Sequence, residues 1–348
     1  MKKFILPILL LCSLLLLPGC GGEEGNGNNV PDPQPQLSVE TLFPIKENVK
    51  YDYAGEGNEY AFYNVHIDYT SDNRVQQRIN NGGTEMVKVI EVKDGKVKEV
   101  FSKGEVYYRE NHLQKSEQEV ILLQEPIEEG TTWTLEDSSK RTITGVNVDV
   151  SVPAGTYKAV EVTTEGPFST TVDYYAPGIG LVKSVWVSNE GGDEVSSSLR
   201  AIEENAVLIQ NVDFFYPNIE DNQYYYKTKQ VKFKTNDITR IILANAYKEP
   251  VGEVLGRVFS PGTQINSLYL NQDNRVYIDL NKAFVTEMNA GSLYESMILQ
   301  SLANTFGRYY GVEEVLLTID DQLYESGHIA FEKGEAIPVK AEGAVKID

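Results

Sequence analysis

The sequence is poor in the residues that usually carry chemistry, with two cysteines, three histidines, two tryptophans and four methionines in 348 residues. Both cysteines, Cys12 and Cys20, lie close to the start. A chain cut before Cys20 therefore has no disulfide, no thiolate metal site and no further cysteine nucleophile. His66, His112 and His328 are widely separated and show no ligand spacing such as His-Glu-x-x-His, so each reads as a strand or loop residue. No Gly-x-Ser-x-Gly elbow, P-loop or dinucleotide fingerprint is present. Carboxylates are the opposite case: with 51 acidic residues, no pair can be singled out as acid and base.

Long apolar runs are also missing, except one. Met1-Lys2-Lys3 precedes an almost unbroken apolar run from Phe4 to Leu17, then Pro18-Gly19-Cys20. A basic start with an apolar stretch of this length predicts a secretory signal over residues 1–19, too short for a comfortable transmembrane helix. The ending Leu17-Pro18-Gly19-Cys20 resembles the lipobox of bacterial lipoproteins. That resemblance implies a diacylglyceryl thioether on Cys20, cleavage before it, and acyl chains such as palmitate holding the protein to a membrane. Each buried methylene contributes about 0.8 kcal/mol, so two or three chains anchor firmly. The expected location is the outer face of the cytoplasmic membrane.

Removing Lys2 and Lys3 from 31 basic residues leaves 29 against 51 acidic ones, a formal charge of −22. Such a surface excludes nucleic acid as a partner and does not seek an anionic bilayer unaided. Residues 20–37 read as the lipidated cysteine and a solvated tether of Gly, Glu, Asn, Pro and Gln, stiffened by Pro31, Pro33 and Pro35. Its reach is roughly 20–25 Å as a coil and about 50 Å stretched.

The remainder predicts an α+β protein of two parts. Residues 38–203 show short strand-like runs rich in Val, Thr and Tyr, most simply a curved sheet or partial barrel. Asp94-Gly95 between Met86–Val92 and Val97–Phe101 signals a hairpin. Further runs are Glu119–Leu123, Arg141–Val150, Tyr157–Thr164, Thr170–Tyr175 and Leu181–Val187. Over 204–336 the texture changes. Ala206–Phe215 and Tyr224–Phe233 read as strands. A helix follows over Asn236–Tyr247, with Asn236 or Asp237 placed to cap it. Ile265–Leu270 and Val276–Leu280 form a second hairpin. Ser292 and Glu295 make a capping-box pattern that opens a long helix, with Tyr294, Ile298, Leu302 and Phe306 on one face. Gly311 ends it, and Val315, Leu317 and Ile319 return as a strand. This order calls for helices on one face of a small sheet. Residues 337–348 are left as a C-terminal tail.

Within this second part, Val212–Tyr216, Ser260-Pro261-Gly262-Thr263, Val276–Leu280 with Phe284, Leu299–Thr305, Tyr310–Val315 and Ile319-Asp320 occur as an ordered series. Over roughly 205–335 the series resembles the GerMN domain family of spore germination and sporulation. One departure is Lys248-Glu249-Pro250-Val251-Gly252, where that family often has Gly-Pro, and it predicts a remodelled loop before Pro261. The resemblance implies a small α+β module outside the cytoplasmic membrane, tied to sporulation or envelope assembly, similar to ring-forming domains and without catalysis. In the first part, Val152–Tyr157 and Tyr174–Lys183 resemble β-rich bacterial envelope proteins. Their Pro-Ala-Gly-Thr and Ala-Pro-Gly-Ile-Gly stretches suit turns that need glycine at positive φ.

Oxygen-rich groups at Asp68, Asp72 and Asn73, at Glu220, Asp221 and Asn222, and at Asp320 and Asp321 could coordinate calcium, but none has EF-hand spacing and all suit turns. No metal or cofactor is expected. The 21 tyrosines cluster at Tyr107-Tyr108, Tyr174-Tyr175, Tyr224–Tyr226 and Tyr309-Tyr310. In a strand one of each pair faces the core and the other can meet a partner or sugar. The functional expectation is a non-enzymatic, membrane-anchored envelope lipoprotein acting through protein contacts in sporulation or germination, with envelope proteins and peptidoglycan as candidate partners. Two alternatives stand beside it. One is a lipid- or glycan-binding module, which requires an apolar or Tyr-lined cavity in the β part. The other is a cell-wall hydrolase accessory, which requires convergent carboxylates or a metal.

Overall fold

The computed structural model describes residues 37–347 apart from Glu253. The signal, Cys20 and the tether to Gln36 lie outside the described residues. A short helix, α1 (Val39–Leu42), is capped by a reciprocal Ser38–Thr41 box. Six strands follow: β1 (Val49–Glu56), β2 (Tyr63–Thr70), β3 (Arg74–Asn80), β4 (Glu85–Lys93), β5 (Lys96–Gly104) and β6 (Val120–Gln124). Six more return: β7 (Thr132–Thr134), β8 (Lys140–Val152), β9 (Gly155–Glu165), β10 (Ser169–Ala176), β11 (Gly180–Ser188) and β12 (Glu194–Glu204). All twelve belong to one sheet, ordered β6-β5-β4-β3-β2-β1-β12-β11-β10-β9-β8-β7, with every neighbour antiparallel.

The chain thus runs outward to β6, crosses to the far edge, and returns to pair β12 with β1. No backbone ladder joins the two edges. Side chains do: Trp133 Nε1 on β7 and Arg141 Nη1 on β8 both donate to the Ile121 carbonyl of β6, at 3.1 and 2.6 Å. The sheet is therefore open in its ladder and curled in its packing, which brings its first and last strands together. Asp94 (φ 53°) and Gly95 (φ 68°) make the expected tight turn between β4 and β5.

Two of the strands, β3 and β4, are covered on both faces. On β4, Met86, Lys88 and Ile90 face the inside of the curl, and Val87 and Val89 face outward into a second core. On β3, Val75, Gln77 and Ile79 face inward, while Gln76 and Arg78 are buried beneath the segment after β5. Inner and outer cores account for buried residues at successive positions, such as Val89 and Ile90 on β4, where a single-faced sheet would bury every second one.

The second part begins with β13 (Leu208–Asn218) and β14 (Gln223–Phe233), then α2 (Thr239–Lys248), β15 (Ile265–Leu270), β16 (Val276–Leu280), α3 (Ala283–Thr286), α4 (Ser292–Tyr310) and β17 (Glu314–Ile319). Three short strands complete it: β18 (Gln322–Leu323), β19 (Ile337–Pro338) and β20 (Val345–Ile347). The strands divide between two sheets, β13-β14-β20 and β15-β16-β17-β18 with β19 against β17. Helix α4 packs on β13, β16 and β17, and α2 spans β14 and β15. Ile298, Leu302 and Phe306 are buried as their spacing predicts, and Gly311 at φ 71° ends the helix. The last residues, read as a tail, supply β19 and β20, the latter parallel to β14.

Both predicted helix caps are corrected. Helix α2 starts after Ile238 with no side-chain cap. Asn236 instead donates to Glu47 and Thr70, and Asp237 accepts from the Lys234 amide. Helix α4 starts after Gly291, also without a side-chain cap, and Glu295 accepts hydrogen bonds from Tyr324 and Ser326 at 2.7 and 2.5 Å. In each case a tertiary partner competes successfully for a side chain that local spacing assigns to the helix end.

Candidate functional site

The inward faces of both halves of the curled sheet meet around a cavity of about 390 Å3. From β1 and β2 come Tyr51, Tyr53, Tyr63, Val65 and Ile67; β3 and β4 add Val75, Gln77, Ile79, Met86, Lys88 and Ile90. Across from them stand Asp173 and Tyr175 of β10 and Leu181 of β11. Glu99 of β5, Leu122 of β6, Phe43, Pro44 and Lys46 just after α1, Ile179 of the β10–β11 turn and Gly180 at the start of β11 complete the wall. The Gly178 amide donates to the Thr41 carbonyl at 2.7 Å, which fixes that turn against α1. Gly178 (φ 76°) and Gly180 (φ 106°) adopt backbone angles that side chains disfavour, so the turn chemistry seen in the sequence also shapes the cavity wall.

The lining mixes aliphatic side chains with four tyrosines and the polar Lys46, Gln77, Lys88, Glu99 and Asp173. Tyr53 stacks on Tyr63 at 4.4 Å and donates to the Leu181 carbonyl at 2.8 Å, linking the two halves of the sheet. Lys88 is paired with Glu99 at 2.8 Å, and Glu99 also accepts from Gln118. Asp173 accepts from Ser184 at 2.6 Å, and burial raises its pKa despite that bond. Burial, with the Asp173 charge next, raises the Tyr63 and Tyr175 hydroxyls too, and burial pushes Tyr51 up to about 12. Among the described residues, no hydrogen bond engages the hydroxyls of Tyr51, Tyr63 or Tyr175, or the amide of Gln77. This leaves unused polar capacity beside aliphatic side chains, the arrangement by which pockets orient an amphipathic ligand.

Other hollows of similar volume are lined mainly by charged and polar side chains. One, of about 400 Å3, lies outside the sheet between Lys50, His66, Arg78 and Glu203. Another, of about 370 Å3, lies at the junction of the two parts, between Arg109, Asn236 and Arg240.

That junction is built on buried charge. Asp68 pairs with Arg78 at 3.1 Å and with Arg109 at 3.6 Å, and all three side chains are almost wholly buried. Arg78 also donates to the Val106 and Tyr108 carbonyls. Arg109 lies 4.0 Å over the Tyr69 ring and donates to the carbonyls of Asp68, Lys234 and Asp237. One guanidinium thus ties β2, the segment after β5 and the approach to α2. The Arg109 amide donates to Tyr309 of α4 at 3.0 Å.

The three histidines stay apart. His66 is half-buried, His112 is buried against Phe101 with ring centroids 5.1 Å apart, and His328 is exposed. Among the described residues no group of three metal-ligating side chains assembles. Each proposed oxygen-rich group has other employment: Asp68 in its ion pairs, Asp221 accepting from Gln223 and Tyr225 in the β13–β14 turn, and Asp320 accepting from Asn266 and Lys282. The cavity residues Lys88 and Asp173 were not singled out by sequence. A signal existed for Lys88, a charged residue between Val87 and Val89 in the Val- and Ile-rich strand β4; β10, with Ser169, Thr170 and Thr171, offered none for Asp173.

Residues 213–325 match the family model described as Germane, sporulation and spore germination. The match covers about a third of the chain and falls within the second part. No curated protein matches the chain. Among solved structures, it is similar to a protein described as exported, with a YmcC-like fold, from Bacteroides fragilis: 14% identity, 47% of this chain, 98% of that chain and TM-score 0.32. It is also similar to the tandem GerMN domains of the sporulation protein GerM from Bacillus subtilis: 13% identity, 38% of this chain, 46% of that chain and TM-score 0.29. A protein described as a lipoprotein from Clostridium perfringens overlaps 37% of this chain and 87% of its own, at 16% identity and TM-score 0.24. At these TM-scores the overlaps carry no argument of their own. No helix among the described residues is long and apolar enough to cross a membrane.

Proposed function

We propose that this chain is a non-enzymatic lipoprotein of the cell envelope that acts in sporulation or spore germination by binding other envelope proteins. The observation that carries the reading is the match of residues 213–325 to a sporulation and germination family. The lipid on Cys20 holds the protein at the outer face of the cytoplasmic membrane, and the tether sets how far the folded part stands from it.

The geometry of the matched segment favours a contact role. Helix α4 covers one face of the β15-β16-β17-β18 sheet. On the opposite face Tyr269, Tyr277 and Leu316 form a cross-strand row. Tyr269 is 40% exposed and stacks on Tyr277 at 5.6 Å. Stacked tyrosines on a rigid sheet lose little entropy on binding and are typical interface anchors.

Crosslinking and mass spectrometry on sporulating membranes test this directly. The wild-type chain should capture an envelope protein through the Tyr269 face, and a Tyr269→Ser/Tyr277→Ser chain should lose most of that capture. Cys20→Ser should leave the membrane fraction. A deletion strain that sporulates and germinates normally, together with no captured partner, sinks the proposal.

A further inference from the structure

The cavity inside the curled sheet has no role in the contact reading above, and its chemistry points elsewhere. Its volume of about 390 Å3 lies near the lower end of the range for small-molecule sites. Much of its wall is aliphatic: Val65, Ile67, Val75, Ile79, Ile90 and Leu122. An unfilled space of that lining is unfavourable to water and costs packing.

The polar groups narrow the occupant. The Lys88 charge is already answered by Glu99. What remains among the strand residues is neutral or neutralised: the Tyr63 and Tyr175 hydroxyls, the Gln77 amide, and an Asp173 carboxyl whose ionisation burial opposes; Lys46, half-buried after α1, is the further charge in the wall. An anionic head reaching the strands would find no unpaired cation there, because Lys88 is held by Glu99 and Lys46 lies after α1. A permanently cationic head would demand the ionised form that the site disfavours. A neutral head bearing hydroxyl or ester oxygens satisfies these donors and acceptors at no charge cost. The small volume suits one chain rather than two.

We propose that the cavity binds a single acyl chain carrying a neutral hydroxyl- or ester-bearing head, the chemistry of a glycerol-linked lipid. Phe43, Pro44 and Lys46 wall the cavity immediately after α1. A membrane glycerolipid with one acyl chain, such as a monoacylglycerol, has this chemistry. The inference goes beyond the sporulation reading and does not depend on it, because binding is measured on the isolated protein.

The test uses residues 20–348 with Cys20→Ser, titrated with 1-monolauroylglycerol below its micelle concentration and read by native mass spectrometry and thermal unfolding. A saturable one-to-one adduct and a raised Tm are expected. Ile79→Trp fills the cavity and should weaken binding at least tenfold with an unchanged circular dichroism spectrum; Met86→Trp, on the neighbouring strand, is the second variant if the first does not fold. No adduct, or undiminished binding by a folded filled variant, overturns the site. Tighter binding of laurate than of the glycerol ester overturns the neutral head.

Discussion

Asp68 sits between two arginines on the outer face of β2, and the arrangement shows what burial demands of a charge. A buried carboxylate is tolerated when ion pairs and hydrogen bonds replace its water, and here Arg78 and Arg109 supply them. His112 lies in the same covered layer and is treated differently. Its amide donates to Gln76 Oε1 at 2.7 Å, while Nε2 has no partner. Burial, reinforced by Lys103 and Lys115, pushes its pKa down to about 4. The unfolded chain takes up this proton near the ordinary histidine value of about 6.5. Between those limits the unfolded state binds more protons, so stability falls as pH drops through that window, by up to about 1.4 kcal/mol per pH unit from this group. His112→Gln should flatten that part of the stability curve relative to wild type, as measured by urea unfolding at pH 7, 5.5 and 4. Parallel curves for the two proteins would show that His112 does not contribute.

At the scale of elements, hairpins were legible and helix caps were not. The β4–β5 turn follows from Asp94-Gly95 because both positions need positive φ, a local steric requirement that no distant contact can relax. Gly95→Val should cost about 1–2 kcal/mol, the price of a side chain in the left-handed region. Its Cβ would also stand 3.1 Å from Glu125 Oε2. Chemical denaturation reads the loss, and a change below a few tenths of a kcal/mol would contradict the turn assignment. The caps expected at Asn236 or Asp237 and at Ser292 with Glu295 failed because a cap is worth only about 1 kcal/mol. Asn236 finds Glu47 and Thr70, and Glu295 finds Tyr324 and Ser326, through contacts whose partners lie 29 to 189 residues away. Local spacing carries no information about such competitors.

Across the whole molecule, the curled sheet and the second part share one apolar core, in which Val87, Val89 and Phe101 join Phe214, Leu302 and Phe306. Arg109 is the polar counterpart of that core, and its removal should act on both parts at once. Arg109→Met keeps bulk but strips the Asp68, Lys234 and Asp237 carbonyls of their donor and leaves Asp68 with one arginine. A loss of about 3–5 kcal/mol is expected. The urea m-value should also fall as the two parts cease to unfold together. Unfolding followed by tryptophan fluorescence, from Trp133 and Trp186 of the curled sheet, and by far-ultraviolet circular dichroism would then give separate transitions; coincident curves would place the coupling in the apolar core instead.

The strand-like runs of β8, β9 and β10, the glycines of the Ala176–Gly180 turn and the helical face of Ile298, Leu302 and Phe306 were all determined by the sequence itself. Each depends on the period of one segment or on backbone sterics within a few residues. The charged residue Lys88 was visible as an anomaly in a Val- and Ile-rich strand, though not as a member of one site with Asp173. Only the tertiary structure decided that β12 returns to β1, that Trp133 and Arg141 reach the Ile121 carbonyl, and that Tyr53 on β1 meets the Leu181 carbonyl on β11. The Tyr53–Leu181 bond joins residues 128 apart, and the cavity exists because such distant pairings curl the sheet. Their free energy comes from mutual burial after closure, so nothing in either local segment announces it.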